Sequence, residues 1–295
     1  MKTYLMSLID ELDFPTEART VLFENYDIII NNQDFVSVLS GFLRQYEENT
    51  LDWTSAIEKI TGLAEKINVH KYIAHMIFFL CMSKHTLDLY KEKGYNYELF
   101  IHTFSDFRYK LYECFKHYRI WGTACETSWY IRFFRLERFA LGRLQYEVIP
   151  YRGQKPYTKD GITVNPGDLV LNAHIPSSGP LTTGLIDESF ALAHEFFKHS
   201  FPDGVTPIVC WSWLLFPENY SMLSPTANIV KFMDKFDIVE SGNYEGYPTF
   251  MTIFNIPYNE DLSFFHPKNS LQHGYLELAR NKKPDGYGFG ITLYK

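Results

Sequence analysis

Leu171–Phe197 reads LNAHIPSSGPLTTGLIDESFALAHEFF. It is a strand, a run of small residues and then an amphipathic helix. Asn172 and His174 alternate with Leu171, Ala173 and Ile175, as a strand with two different faces requires. Ile186, Phe190, Ala193 and Phe197 then recur at helical spacing, widened by Leu185, Leu192 and Phe196. Between the two lie Ser177, Ser178, Gly179, Thr182, Thr183 and Gly184. Small residues ahead of a helix suit a phosphate seat, because the first N–H groups of a helix lack partners and carry partial positive charge. They suit a plain strand-to-helix turn equally well, and Pro180 offers no N–H at all.

Around this segment the chain divides. Upstream the pattern is helical: SAIEKITGLAEKI carries Ile57, Ile60, Ala64 and Ile67 on one stripe. FIHTFSDFRYKLYECFKHY does the same with Phe100, Phe104, Phe107, Leu111, Cys114 and Tyr118, predicting one continuous helix. Gly94 and Gly122 read as helix stops. No β alternation precedes about residue 135, and no repeat is present.

Downstream, RFALGRLQYEVIPYRG places Leu144, Tyr146 and Val148 on one strand face, and Asp160-Gly161 and Asn165–Asp168 mark turns. PIVCWSWLL is an apolar run suited to a strand covered on both faces. Ser224 and Pro225 are expected to cap and open a helix that buries Ile229, Val230, Met233 and Phe236. FDIVES and TFMTIFNI read as a hairpin through Gly242–Gly246, followed by a helix in SLQHGYLELAR and a strand in YGFGITLY. The fold class is therefore α+β: an all-helical domain over 1–135, then a mixed β-sheet domain with flanking helices over 136–295.

The chain has 295 residues, 17% aromatic, with a net charge of −7. A sequence pI near 5.8 argues against non-specific nucleic-acid binding. MIFFLCM and IVCWSWLLF are too short to span a bilayer, and the N-terminus makes a poor signal peptide, so a cytoplasmic protein with reduced thiols is expected. HEFFKH (His194–His199) is not a zinc motif: a gap of five turns the second imidazole about 140° around the helix. GYGFG (Gly286–Gly290) leads into a strand rather than a helix, so it is no dinucleotide fingerprint, and its glycines point to close backbone approach. Cys210 with His174 is a possible thiol–imidazole pair, which would make the chain a thiol hydrolase.

Several segments together resemble a known family. They are LGRLQYE (141–147), HIPSSGPL (174–181), DESFALAHEFF (187–197), SWLLFPENYSMLSPTANIVKFMDKF (212–236) and NSLQHGYLE (269–277). They are similar to bacterial acyltransferase-domain proteins that pair a helical N-acyltransferase-type N-terminal domain with a GNAT-like C-terminal domain. The resemblance implies an acyl-coenzyme A co-substrate, no metal, and a small-molecule amine acceptor. It implies two central parallel strands that splay apart, DLVLNAHIP and PIVCWSWLL. It seats the pyrophosphate on Ser177, Ser178, Gly179, Leu181, Thr182, Thr183 and Gly184, with Asn228 in the next helix. The usual loop pattern, Q/R-x-x-G-x-G/A, is absent: Gly179 and Gly184 stand five apart around Pro180.

On this reading His174 is the candidate base, with Glu147 as the alternative, and Tyr220 is the candidate acid. Each has a structural counterpart: a backbone-bonded imidazole, an exposed strand carboxylate, a packed tyrosine. The aromatic helical half is a candidate cover for the acyl chain or acceptor. The contrasting reading is a catalytically inactive GNAT-like protein that binds or regulates through a small molecule.

Overall fold

The computed structural model describes residues 1–295. Up to Phe134 the chain forms eight helices. The first four are α1 (Lys2–Glu11), α2 (Thr16–Ile30), α3 (Gln33–Glu47) and α4 (Trp53–Lys66). Then come α5 (Lys71–Glu92), α6 (Tyr97–Phe104), α7 (Asp106–Tyr118) and α8 (Thr127–Phe134). Helix α5 contains MIFFLCM, and its residues from Met76 to Ser83 are nearly all buried, so the other helices gather around it. Its end is a Schellman cap: Gly94 takes a left-handed φ of +73°, and Tyr95 N–H reaches back to Tyr90 C=O. Rings fill this core. Trp53 stacks on Phe134 with centroids 4.8 Å apart, and Phe107 stacks on Tyr130 at 4.8 Å.

The single helix expected over 100–118 is two. Its apolar stripe is buried as far as Cys114, but Ser105 turns its hydroxyl back onto Ile101 C=O at 2.8 Å. Such back-bonding competes with the helical ladder and bends it. Nor does Gly122 stop α7, which ends at Arg119 in the left-handed region. Gly122 instead allows contact with α5: a Cβ there would lie 2.4 Å from Tyr72 O.

The second half adds strands β1 (Arg138–Leu141), β2 (Leu144–Pro150), β3 (Tyr157–Lys159), β4 (Ile162–Val164) and β5 (Leu169–His174). Helix α9 (Thr183–Phe196) and strand β6 (Thr206–Ser212) follow, then α10 (Asn219–Met222), α11 (Asn228–Met233) and β7 (Asp237–Asn243). Helices α12 (Thr249–Phe254) and α13 (Ser270–Arg280) precede the last strand, β8 (Gly286–Tyr294). Two compact units result, Met1–Phe139 and Ala140–Lys295. The architecture is an all-helical domain followed by a mixed-sheet domain with flanking helices.

The main sheet runs β1-β2-β5-β6-β8-β7, and β3-β4 is a separate hairpin turned at Asp160-Gly161. Pairing is antiparallel between β2 and β5, β6 and β8, and β7 and β8; β5 and β6 run parallel. One face carries Tyr146 and receives α9, whose buried Ser189 contacts the Tyr146 hydroxyl at 2.9 Å and accepts Leu144 N–H at 3.1 Å. The other face carries Val170, Val209, Phe289 and Ile291, packed with Tyr151, Tyr157 and Val164 around the small hairpin.

Four local expectations shift here. TFMTIFNI is mostly helix α12 rather than a strand. Phe250, Ile253 and Phe254 pack at helical spacing against α13, and an apolar run this short fits either period. Ser224 and Pro225 form a turn, closed by Ala227 N–H to Ser224 C=O, and α11 starts four residues later at Asn228. Thr183 and Gly184 already belong to α9. Leu185 and Leu192 do not widen the buried stripe but lie exposed. The β8 glycines meet their expectation: Cβ atoms on Gly286 and Gly288 would lie 2.2 Å from Gly242 O and 2.1 Å from Leu215 O.

Candidate functional site

The β2–β5 ladder sets Gln145 opposite His174 and Glu147 opposite Asn172. Since side chains alternate, Glu147, Asn172 and His174 share one face. Glu147 Oε1 lies 2.8 Å from His174 Nε2 and accepts Asn172 Nδ2 at 3.2 Å. Glu147 is only 5% exposed, not the solvated strand carboxylate that alternation alone allows. A buried carboxylate requires such partners. With Glu147 ionised, Nε2 must carry its proton toward Oε1, so the lone pair of a neutral His174 falls on Nδ1. Asn172 Nδ2, 3.1 Å from Nε2, then adds to the carboxylate's support rather than donating to the ring.

Strand β5 stays paired with β2 to its last residue, and β6 stays paired with β8 through Ser212. Between β5 and β6 the ladder has just two rungs, Leu171 with Ile208 and Asn172 with Val209. The C-terminal ends of the only parallel pair in the sheet therefore part, with His174 on one side. Open α/β sheets hold ligands at such a place, where the direction of chain connection changes.

The loop leaving β5 is fixed from below by a residue the sequence did not single out. Arg143, buried between β1 and β2, donates Nη1 to Pro176 C=O at 3.0 Å, Nη2 to Gly179 C=O at 2.7 Å and Nε to Pro180 C=O at 3.1 Å. Three carbonyls turned toward one guanidinium force the loop to curl, and Gly179 accommodates the curl at φ +117°. Ser178 N–H closes onto Pro176 C=O. The first bond of α9 is Ile186 N–H to Thr182 C=O, and the Thr182 side chain caps nothing. The N–H groups of Thr183, Gly184 and Leu185 thus remain ahead of the helical ladder, and no acidic side chain occupies the first turn. Carbonyls drawn inward, N–H groups ahead of the helix and a buried cation beneath make this an electropositive cradle. Arg143 lies within LGRLQYE, but no local pattern reveals that a loop some 35 residues on will fold over it.

The remaining candidates are dispersed. Asn228 is exposed at the start of α11, a helix of one and a half turns. Tyr220 sits on α10 and donates its hydroxyl to Asp234 at 3.1 Å, so it does not join the His174–Glu147 group. Burial first, and then that carboxylate, push its hydroxyl up to about 12. Cys210 does not pair with His174. Register aligns it with Ala173 on the α9 face of the sheet, whereas His174 projects from the opposite face with Val209. Burial pushes its thiol up to about 12, leaving almost no thiolate at neutral pH. His194 ties α9 to β6: its Nδ1 lies 2.8 Å from Thr206 Oγ1.

Comparison with known proteins follows the same division. The family model of the GNAT-like C-terminal domain matches residues 138–290, and that of the N-acyltransferase N-terminal domain matches residues 3–136. No curated protein matches the chain. Among solved structures, an acyltransferase in complex with decanoyl-CoA and teicoplanin is similar at 17% identity and a TM-score of 0.71, over 98% of this chain and 87% of that one. A complex of acyltransferase with decanoyl-CoA is similar at 17% identity and a TM-score of 0.70, over 97% and 86%. At that identity the likeness is one of fold. No helix is long and apolar enough to cross a membrane. The chain belongs to the family of acyltransferase-domain proteins in which a GNAT-like C-terminal domain follows a helical N-acyltransferase N-terminal domain.

Proposed function

We propose that the protein is an acyl-CoA-dependent N-acyltransferase, with residues 1–135 as its helical domain and 136–295 as the domain that binds coenzyme A. The observation that carries this reading is the two-rung ladder between β5 and β6, opening directly beside the curled loop and the N-terminus of α9. The pyrophosphate sits on the main-chain N–H groups of Thr183, Gly184 and Leu185 at the start of α9, with the small-residue loop Ser177–Thr182 lining its approach and Arg143 supplying positive charge behind them. The pantetheine arm then enters the split between the strands. Asn228, at the start of α11, takes a peripheral part in holding the coenzyme.

An amine attacks the thioester carbonyl directly. The C–N bond forms, the C–S bond breaks, and His174 takes the proton the attacking nitrogen loses, on Nδ1. Glu147 holds the ring in the right tautomer and stabilises the imidazolium, which then gives that proton to the departing coenzyme A thiolate, leaving free thiol and neutral His174. Tyr220, whose hydroxyl is donated to Asp234 away from the His174–Glu147 group, has no proton-transfer step in this scheme.

Medium-chain acyl-CoA is the first donor to try, because similar structures hold decanoyl-CoA. Incubation with decanoyl-CoA and a panel of primary amines should release free thiol and give an amide detectable by mass spectrometry. His174→Ala and Glu147→Gln should lower turnover by about 10²–10⁴-fold and about tenfold or more, with acyl-CoA binding retained. Absence of both thiol release and calorimetric binding would remove the proposal. Binding without turnover for any amine favours the second reading, a small-molecule binding protein, which the interruption of the loop by Pro180 supports.

A further inference from the structure

Helix α7 buries Phe107, Leu111 and Cys114 and turns a different kind of face to solvent. At 3.6 residues per turn, Tyr112, Phe115, Lys116 and Arg119 fall within an arc of about 100°. Tyr112 is 40% exposed, and Lys116 and Arg119 are exposed beside it. Rings fill the space between the charges. Phe115 stacks on Trp121 at 3.8 Å with planes 7° apart, Tyr112 meets the same indole edge to face at 5.8 Å, and the Arg119 guanidinium lies over Phe115 at 5.6 Å.

The start of α5 extends this patch. Thr123 N–H reaches Tyr72 C=O at 2.9 Å, which ties the segment after α7 to the first turn of α5. Tyr118, 50% exposed, packs its ring against Tyr72 at 5.1 Å, and Lys71 Nζ lies over Tyr72 at 5.2 Å. Arg108, further along α7, is taken by Asp13 at 2.8 Å. Of the two acids in α7, Asp106 is buried and Glu113 is held by Lys110 at 2.8 Å, and no carboxylate pairs with Lys71, Lys116 or Arg119. A chain of net charge −7 thus sets three uncommitted cations in one aromatic patch. Salt screens the distant negative charge beyond about 8 Å at physiological ionic strength, so the local cations decide what comes to this face.

We propose that this patch rests on a membrane surface bearing anionic lipid. Tyrosine and tryptophan rings join an apolar body to a polar edge and settle at the level of the lipid headgroups. Lysine and arginine beside them reach the phosphates while their stems lie along the rings. Single-stranded nucleic acid would need open ring faces for its bases, but Phe115 and Trp121 cover each other, and Arg119 and Lys71 lie over Phe115 and Tyr72. An acidic peptide would match the cations but give Tyr112 and Tyr118 no apolar medium to enter. The contact is peripheral, since no helix is long and apolar enough to cross a membrane, and it is independent of the transferase reaction.

Co-sedimentation of the full chain with vesicles of phosphatidylcholine alone, and of phosphatidylcholine with about 30% phosphatidylglycerol, reads the contact directly. Binding should appear with phosphatidylglycerol only and fade in about 0.5 M salt. Each cation near an anionic surface contributes about fivefold to partitioning, so neutralising all three by Lys71→Gln, Lys116→Gln and Arg119→Gln should cost about a hundredfold, and Lys116→Gln alone about fivefold. Tyr112→Gln with Tyr118→Gln keeps every charge and should still weaken binding several-fold. Equal sedimentation with and without phosphatidylglycerol overturns the proposal, as does a triple variant that melts like the wild type and binds as well. Where the triple variant does not fold, the single Lys116→Gln protein decides. Binding of poly-glutamate as tightly as the anionic vesicles, unchanged in the tyrosine pair, would assign the patch to an acidic polypeptide and overturn the lipid contact.

Discussion

Replacing Arg143 with methionine removes three hydrogen bonds at once, to the carbonyls of Pro176, Gly179 and Pro180. Bonds from a charged donor are worth roughly 1.5–3 kcal/mol each when the acceptor is left buried. Here the loop residues are partly or fully exposed, so water can replace the guanidinium once the loop lifts. About 1 kcal/mol per bond, about 3 kcal/mol in all, is the corresponding figure. The loss is local. A lifted loop recovers hydration while the sheet beneath it, closed by the six-residue β2–β5 ladder, stays folded. Acyl-CoA must then close the loop again from its binding energy, which raises Kd by between about tenfold and a hundredfold. Calorimetry of decanoyl-CoA against wild type and Arg143→Met measures this, and hydrogen exchange over 177–184 shows whether the loop has opened. Arg143→Lys, with one point donor instead of a planar fork, should fall between the two. Unchanged affinity together with unchanged exchange would refute the view that the guanidinium shapes the anion seat. Lost affinity accompanied by collapse of the melting transition would instead assign Arg143 to the core alone.

Further outcomes follow from other parts of the domain. Asp285 is fully buried; its Oδ2 accepts Thr249 N–H, its Oδ1 has no partner, and burial raises its pKa above the usual carboxylate range. The folded state therefore binds a proton more readily than the unfolded one, and stability falls as pH rises from the ordinary carboxylate range through the raised value. Asp285→Asn should melt higher than the wild type at pH 8 and lose that advantage near pH 4, as thermal unfolding at the two pH values will show. Gly288→Ala would bring a Cβ to 2.1 Å from Leu215 O, a backbone atom that cannot yield, so a loss of about 3 kcal/mol or more and insoluble expression are expected. Cys210, with a thiol near 12, should resist iodoacetamide at pH 7.5 in the folded protein, and Cys210→Ala should keep turnover. Rapid alkylation of Cys210, or loss of activity in the alanine variant without loss of stability, would revive a thiol mechanism.

The candidate site was legible in one dimension but not across the ladder. Strand alternation already placed Asn172 and His174 on one face, and Glu147 lay in a visible strand, yet only the register of β2 against β5 brings Oε1 to 2.8 Å from Nε2. The same register separates Cys210 from His174, a pairing that proximity of strands alone could not exclude. Arg143 went unnoticed for the same reason: it owes its importance to carbonyls distant in the chain, from Pro176 to Pro180.

What the sequence determined by itself was periodicity and punctuation. Three-to-four spacing marked the helix around Ile57–Ile67 and the apolar stripe from Phe100 to Cys114, two-residue alternation marked β2 and β5, and the chain's turns at Asp160-Gly161 and Asn165–Asp168 followed from residues that tolerate those backbone angles. Tertiary structure decided where periodicity is degenerate or silent. It made TFMTIF a helix, because Phe250 and Ile253 bury against α13. It also set how far β5 and β6 stay together. Strand pairing is a contest between non-local hydrogen bonds and the loops that bend away from them, and no local pattern records its outcome.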